Sequence, residues 1–558
     1  MPHPKSRMFR KLVALLKFEL EKLPENQPER NKRNIQQSRR RFIEHSAKAA
    51  IGVSLSVSMP AFLSSCRNTP SSASADTDAP PVVGEKPLDI AILGGGIAGL
   101  NCANHLLESG HDFKIFEAQK RVGGRILTHY NDPLGLGIYP EFGGDFIDTG
   151  HEEMLALAKE FGLELYDLEA EMKKDGLVKD VYLFNDKIFT EKDIIREFRK
   201  IAPKIAADYK SLGENYDTEA AKKFDLMPLS EYFASLKCAK WLKDVLIAGF
   251  VSEFGLDCNE QSTINFLDLI DPDTSGGFKI FGESDERFRI KGGNSKIIEG
   301  LEKKIGSDRI LKRYEVTEVS EQDDGSYKIS FTDQKPVLAG MVVCTIPFTI
   351  LRKIKMSLKN ISPEKQKCIN ELGYGMNTKL VLGYNERSWR SKENKAMGYL
   401  FHKDIVNGWD SSYNKPDNSD KAAFVCYFGG KFSVDLDGVA VRNPMSPPQH
   451  TWRTQLPEAK VDEFVNVLDK AFKNSKKHFN NKHIFVNWID FPYTKGSYAC
   501  YKPGQWTTIA GLEMQPVGKF LFAGEHCSAM FQGFMNGGAE TGRHVAEAIK
   551  ASVGAGTK

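Results

Sequence analysis

The sequence predicts an α/β fold in which a parallel-sheet domain is assembled from separated segments and a second, α+β domain is inserted between them. Three observations carry this. The apolar run DIAIL (89–93) leads into a knot of glycines and then a helical pattern, the order of a buried parallel strand, a tight turn and a crossover helix. A second short apolar strand, HDFKIFEA (111–118), follows that helix. The long stretches 151–285 and 370–490 then change pattern. The first is helical, as in EEMLALAKEFGLELY (152–166), and the second mixes strand-like runs such as TKLVLGY (378–384) and AAFVCYFGG (422–430) with loops.

The 558 residues exceed what one compact core takes up, which agrees with more than one domain. The net charge of +3 hides an asymmetry. Residues 1–65 hold 13 Lys/Arg against 5 Glu, a surplus of 8, so the remainder of the chain carries about −5 and no basic footprint for nucleic acid. Nine cysteines without any C-x-x-C spacing argue against a zinc or thioredoxin-like site, and no metal is expected.

The basic surplus belongs to a leader. Ser38, Arg39 and Arg40, one free position, then Phe42 and Ile43 match a twin-arginine export signal, followed by a mildly apolar stretch, AAIGVSLSVSMPAF (49–62). LSSC (63–66) reads as a lipobox that would make Cys66 the lipidated residue, and RNTPSSASADTDAPP (67–81) as a flexible tether. The expected setting is the periplasm or cell envelope, reached through the twin-arginine translocase, with a possible lipid anchor to the membrane. Because that route carries folded, loaded proteins, the leader also implies a cofactor inserted before export.

Gly94, Gly96 and Gly99 form G-x-G-x-x-G at the strand-to-helix turn. Gly94 permits the tight turn, Gly96 lets backbone approach a diphosphate, Gly99 lets helix and strand pack closely, and the helix N-terminus, beginning around Ala98, faces the phosphates. Glu117 ends the second strand 18 residues beyond Gly99, followed by Ala118, where an acidic group accepts from a ribose without a 2′-phosphate. The next residues, KRVGGRILT (120–128), supply Arg121, Gly123, Gly124 and Arg125.

With this R-x-G-G-R turn the chain resembles the flavin-containing amine oxidase family, over roughly residues 86–550. Nicotinamide enzymes have no reason to carry the second glycine element. The resemblance implies FAD, with Gly123 and Gly124 against the cofactor and Arg125 offsetting its diphosphate. YPEFGGDFID (139–148) resembles the segment beside the isoalloxazine, placing Gly144, Asp145 and Phe146 there, and Val316 in YEVTEV (314–319) would meet the adenine. KFLFAGEHCSAMFQGFMNGGAETGRHVAEAI (519–549) resembles the closing motif, with Gly524, Glu525 and a helix starting near Met535 at the flavin. The implied architecture is a Rossmann-like FAD-binding domain (87–150, 286–369, 491–550) with an inserted α+β substrate domain (151–285, 370–490). It is flanked by a signal region (1–65), a linker (66–86) and a tail (551–558).

The same resemblance nominates the chemistry. Lys379 corresponds to a lysine near flavin N5 that orients water and favours reoxidation by O2; Tyr498 and Phe534 correspond to two rings that sandwich a neutral amine in front of the flavin. Ser497 stands where some members carry a flavin-linked cysteine, so the FAD is expected to be non-covalent; Cys500, three residues later, points elsewhere in the alignment and is the alternative point of attachment. Phe146 replaces the arginine that clamps a carboxylate in amino-acid oxidases, leaving Arg289 or Arg453 as alternative cations. The expected function is oxidation of a primary or secondary amine by hydride transfer to flavin N5, with O2 or another acceptor completing the cycle. The alternatives are an L-amino-acid oxidase or tryptophan 2-monooxygenase-like enzyme, a desaturase or porphyrinogen-type oxidase, and a non-catalytic flavin-binding protein.

Overall fold

The computed structural model describes residues 86–415, 419–442 and 453–554. The twin-arginine motif, Cys66 and the tether lie outside the described residues. Among the described residues no helix is long and apolar enough to cross a membrane, and no cluster of His, Cys, Asp or Glu is arranged to hold a metal ion.

Strand β1 (Leu88–Leu93) feeds the glycine turn, helix α1 (Ile97–Leu106) and strand β2 (Phe113–Glu117). The two strands lie parallel, Leu93 opposite Phe116. On its other side β1 runs parallel to β3 (Gln334–Cys344), which pairs in turn with the strand Phe520–Phe522 near the C-terminus. Only Asp89 of β1 is exposed. The near-continuous apolar run is what a parallel strand needs when both faces are covered. Strands Ile310–Lys312, Val316–Glu321, Tyr327–Phe331 and Lys355–Ser357 complete this eight-stranded sheet.

A second eight-stranded sheet is built mainly from the 370–490 stretch. Its centre is β4 (Thr378–Tyr384), followed in chain order by β5 (Ala396–His402), β6 (Val406–Asp410) and β7 (Ala422–Phe428). Spatially the order is β4, β7, β6, β5, and β4 is flanked on its far side by Phe479–Asn487. Against β5, β6 and β7 packs helix α2 (Lys240–Phe254), whose buried residues include Val245, Leu246 and Phe250.

The stretch 151–285 is mostly helical, but it also contributes Val178–Phe184 and Lys187–Phe189, an antiparallel pair that extends the second sheet beyond β5. The local cause is visible in VYLFNDKIF: Asn185 and Asp186 take φ of 52° and 57°, the conformation of a tight hairpin turn. The closing helix α3 (Met535–Gly554) returns to the first domain and packs on α1. The approach is close, because a Cβ on Gly542 would lie 2.2 Å from the Ala98 carbonyl oxygen.

Candidate active site

One cavity of ≈ 530 Å³ runs from the glycine turn of β1 to the second sheet. At the turn, Gly94 has φ +108°, and a Cβ there would meet Thr345 Oγ1 at 2.5 Å. A Cβ on Gly99 would lie 2.0 Å from the Gly94 carbonyl oxygen, so only glycine allows helix and turn to touch. Gly96 is different: an added Cβ would meet nothing within 4 Å, so the space above it is open. Gly96 is also the N-cap of α1, makes no side-chain cap, and is followed by a first turn without acidic residues. Uncapped amides at a helix start, facing an open cradle, fit a diphosphate.

Glu117 lies beside this cradle, its carboxylate accepting from the amides of Gly95 and Gln119, each at 2.8 Å. Burial raises its pKa despite these bonds. Ala98, Ala118, Gly123, Gly124 and Val316 line the same end of the cavity. Arg121 braces the second glycine pair by donating to the carbonyls of Val122 and Gly124 at 3.1 and 2.8 Å. Arg125 reaches the cavity too, but its charge is matched: it pairs with Glu525 at 3.0 Å and donates to the Ser497 carbonyl. Glu525 also accepts from the amides of Ala499 and Gly533. Its side chain therefore ties three cavity walls together, while Gly524 and Glu525 themselves line the cavity.

At the other end, the segment 141–148 passes beneath Lys379. Gly144 packs on Met535 so closely that a Cβ would come within 2.6 Å of the methionine sulfur. Lys379 is only 3% exposed and lies on the central strand β4, and it donates to the carbonyls of Glu141 and Gly143 at 3.2 and 2.7 Å. Asp145 sits 3.4 Å from its Nζ, accepts from Trp409 Nε1 at 2.7 Å and pairs with Arg289 at 3.3 Å. The Asp145 carboxylate thus serves the lysine and the arginine. Burial lowers the Lys379 pKa, with Asp145 and Glu141 opposing the shift.

Tyr498 and Phe534 both border this end. Tyr498 donates to the Ser252 carbonyl at 2.8 Å and meets the Tyr427 hydroxyl at 3.1 Å. Phe534 stands edge-on to His151, ring centroids 5.1 Å apart. Ser497 turns its hydroxyl to Asn377 at 2.6 Å, and Cys500 lies outside the cavity beside Asn265. Neither alternative cation faces the cavity: Arg289 is held between the rings of Phe146 and Tyr413 and by Asp145, and Arg453 is not among the lining residues.

A diphosphate cradle, a ribose acceptor and an aromatic chamber over a buried lysine therefore share one cavity, in a chain whose residues 97–550 match the family model for flavin containing amine oxidoreductases. The chain belongs to that family. This amine oxidoreductase takes FAD, which the residues around the turn fit. It is 24% identical over 483 residues to the flavin-containing amine oxidase A of the dog, Canis lupus familiaris, covering 84% of this chain and 85% of that one. Against amine oxidase B of the pig, Sus scrofa, it is 23% identical over 489 residues, covering 84% and 86%. Its fold is similar to that of cyclohexylamine oxidase from Brevibacterium oxydans IH-35A, with TM-score 0.67, 19% identity, and 84% and 100% of the two chains covered. Putrescine oxidase bound to putrescine gives TM-score 0.67 at 18% identity, covering 83% and 99%.

Sequence reasoning missed several lining residues of this oxidoreductase, among them Trp409, Tyr427, Asn407 and Glu286. The signal for two of them was available: Asn407 and Trp409 alternate in VNGWD as same-face residues of a strand do. Which face looks into the cavity depended on the strand order, in which β7 brings Tyr427 opposite Asn407 and Lys379 opposite Tyr427.

Proposed function

We propose that the protein oxidises a primary or secondary amine to an imine, with O2 as terminal acceptor and hydrogen peroxide as product. Bound FAD would supply the hydride acceptor at N5. The supporting observation is the character of the chamber around Lys379: Tyr427, Tyr498, Trp409 and Phe534 line it, and the one arginine that lines the cavity among the described residues, Arg125, is already paired with Glu525. An α-carboxylate would find no free guanidinium there, which favours an amine over an amino acid.

Each residue has a definite task in this scheme. Tyr498, anchored through its hydroxyl to Ser252 and Tyr427, would present a fixed ring that orients the amine, and Phe534 lines the same chamber. The apolar walls exclude water and favour the neutral amine, whose lone pair assists loss of the adjacent hydride. Lys379, pinned by two carbonyls, would hold a positive charge or an ordered water next to bound FAD. The first turn of α3 carries no acidic residue, so its amides would favour negative charge on FAD bound there. Ser497 cannot form a thioether, so the cofactor is held without a covalent bond.

The test is peroxide release from the purified holoprotein over a panel of amines, paired with anaerobic bleaching of the flavin band. Amine-dependent bleaching followed by peroxide on admitting air is the expected result; no response to any amine would overturn the proposal. The setting we propose is the cell envelope, through twin-arginine export and lipidation of Cys66. Replacing Arg39 and Arg40 by Lys should retain the protein inside the cell, and mass spectrometry of the mature N-terminus should find lipid on Cys66.

A further inference from the structure

The buried charges around Lys379 divide unequally. Its ammonium donates to the carbonyls of Glu141 and Gly143 and, at 3.4 Å, to Asp145 Oδ2, so its three N–H bonds are directed at protein acceptors and the charge is fixed in place. The Asp145 side chain is 3% exposed, and its two oxygens serve different cations. Oδ2 takes Lys379 and Trp409 Nε1, and Oδ1 forms an ion pair with Arg289 at 3.3 Å. Backbone sets that carboxylate. The stretch 143–145 is locked against Arg125, because the Gly144 amide donates to the Arg125 carbonyl at 3.1 Å and a Cβ on Gly143 would lie 1.8 Å from the same oxygen. Arg289, on the strand Phe288–Ile290, is held in turn between the rings of Phe146 and Tyr413, 4.3 and 5.0 Å from their centroids.

Asp145 is the anion on which the lysine charge depends. Among the described residues it is the one carboxylate within ion-pair distance of Lys379. The Glu141 carboxylate is turned to the Thr128 hydroxyl, the Asn294 amide and the Asn414 side chain, and burial with the Asp145 charge pushes it towards its neutral form. From β6 and β7 the rings of Trp409 and Tyr427 face the ammonium, 5.3 and 5.9 Å from Nζ, and burial keeps the Tyr427 hydroxyl protonated. On the far side the residue opposite Lys379 is Val486, which is uncharged. One buried carboxylate thus lies between two buried cations. Arginine keeps its proton whereas a desolvated lysine gives one up, so any change in the shared carboxylate falls on Lys379.

We propose that Asp145 is a positioning residue for Lys379: it holds the ammonium in place and charged, and Arg289, by competing for the same carboxylate, limits the pH range in which Lys379 assists electron transfer to O2. In that step two electrons and two protons pass to O2 to give hydrogen peroxide, and a fixed positive charge favours the negative charge that builds on oxygen. The assignment rests on the oxidase function proposed above and names the pair of residues that sets its pH dependence.

The experiment follows reoxidation of the photoreduced holoprotein by O2 in stopped flow across pH, so that no amine is needed, in the native chain and in Asp145→Asn and Arg289→Gln. A second readout is the nitrogen NMR titration of the Lys379 ammonium in the oxidised holoproteins, its signal identified by its loss in Lys379→Met. In the native protein reoxidation should slow as pH rises through the value at which that ammonium titrates. Asp145→Asn leaves two cations without their anion, and both curves should move down by about one pH unit or more. Arg289→Gln leaves Lys379 and Asp145 as an undivided pair, and both curves should move up. Opposite shifts in two variants of one cluster cannot come from partial unfolding. Shifts of the same sign, or a Lys379 titration untouched by Asp145→Asn, would overturn the proposal while leaving amine oxidation standing. Should O2 fail to reoxidise the native flavin, the oxidase function falls and the NMR titration still decides whether Asp145 holds Lys379 charged: a downward shift in Asp145→Asn supports it, and an unchanged curve overturns it.

Discussion

Lys379 shows how much a single side chain depends on its surroundings. A lysine in a strand reading TKLVLGY is, by local pattern alone, as compatible with an edge as with a centre. Here it lies between two antiparallel neighbours, is buried, and has its ammonium bonded to the carbonyls of Glu141 and Gly143. Replacing it by Met removes the cation while Asp145 keeps Arg289 and Trp409. Stopped-flow measurement should therefore find anaerobic reduction by amine largely preserved and reoxidation by O2 slowed about tenfold or more. The pH dependence has a fixed sign. Burial lowers the pKa from 10.5, so the charged form is lost at a lower pH than for a free lysine, and reoxidation should slow as pH rises through that value. The Lys379→Met variant should lack this step. At Tyr498, substitution by Ala removes the orienting ring, and kcat/KM for amine should fall about tenfold or more with the flavin spectrum retained.

At the scale of elements, the cofactor cradle is a matter of clearance. The start of α1 touches the turn at Gly99, and α3 touches α1 at Gly542, in both cases with backbone where a side chain would have to go. Backbone cannot rotate out of the way as a side-chain tip can. Gly542→Ala should cost about 1–3 kcal/mol by overpacking and loosen α3 from α1, which a lower unfolding midpoint and weaker FAD retention on dilution would both register. Glu525 is the corresponding polar device, a carboxylate joining Arg125 to the amides of Ala499 and Gly533. Glu525→Gln keeps the shape but removes the charge opposite Arg125, and should weaken FAD binding while leaving the sheets intact by circular dichroism.

For the molecule as a whole, the cavity joins segments distant in sequence: 94–98, 143–148, 252–254, 345–354, 379–427 and 488–538 all contribute lining residues. A ligand touching so many segments binds the folded chain and not the unfolded one. FAD at a hundredfold excess over its Kd should stabilise the apoprotein by about 2.7 kcal/mol, seen as a concentration-dependent rise in the unfolding midpoint. A midpoint indifferent to FAD would mean that the cradle at Gly96 is not where the cofactor binds.

The strand and glycine turn at 88–99, the acidic end of β2 and the helix from Met535 were legible in the sequence because each depends on neighbours a few residues away: apolar period, glycine at a tight turn, a helix start. Lys379, Tyr498 and Phe534 could be nominated by resemblance, and the fold gathers them at one cavity. The hairpin at Asn185–Asp186 lay hidden in a stretch dominated by helical pattern, and joining the second sheet required β5 as a partner more than two hundred residues later. Asn407, Trp409, Tyr427 and Glu286 carry no motif, and their convergence follows from strand order and register. The sequence by itself determined the local conformations and the cofactor grip, because short-range sterics and helix-end amides set them. Only the tertiary structure decided which acidic and aromatic side chains meet across the chamber, because burial and electrostatic partnership are properties of groups brought together by the whole chain.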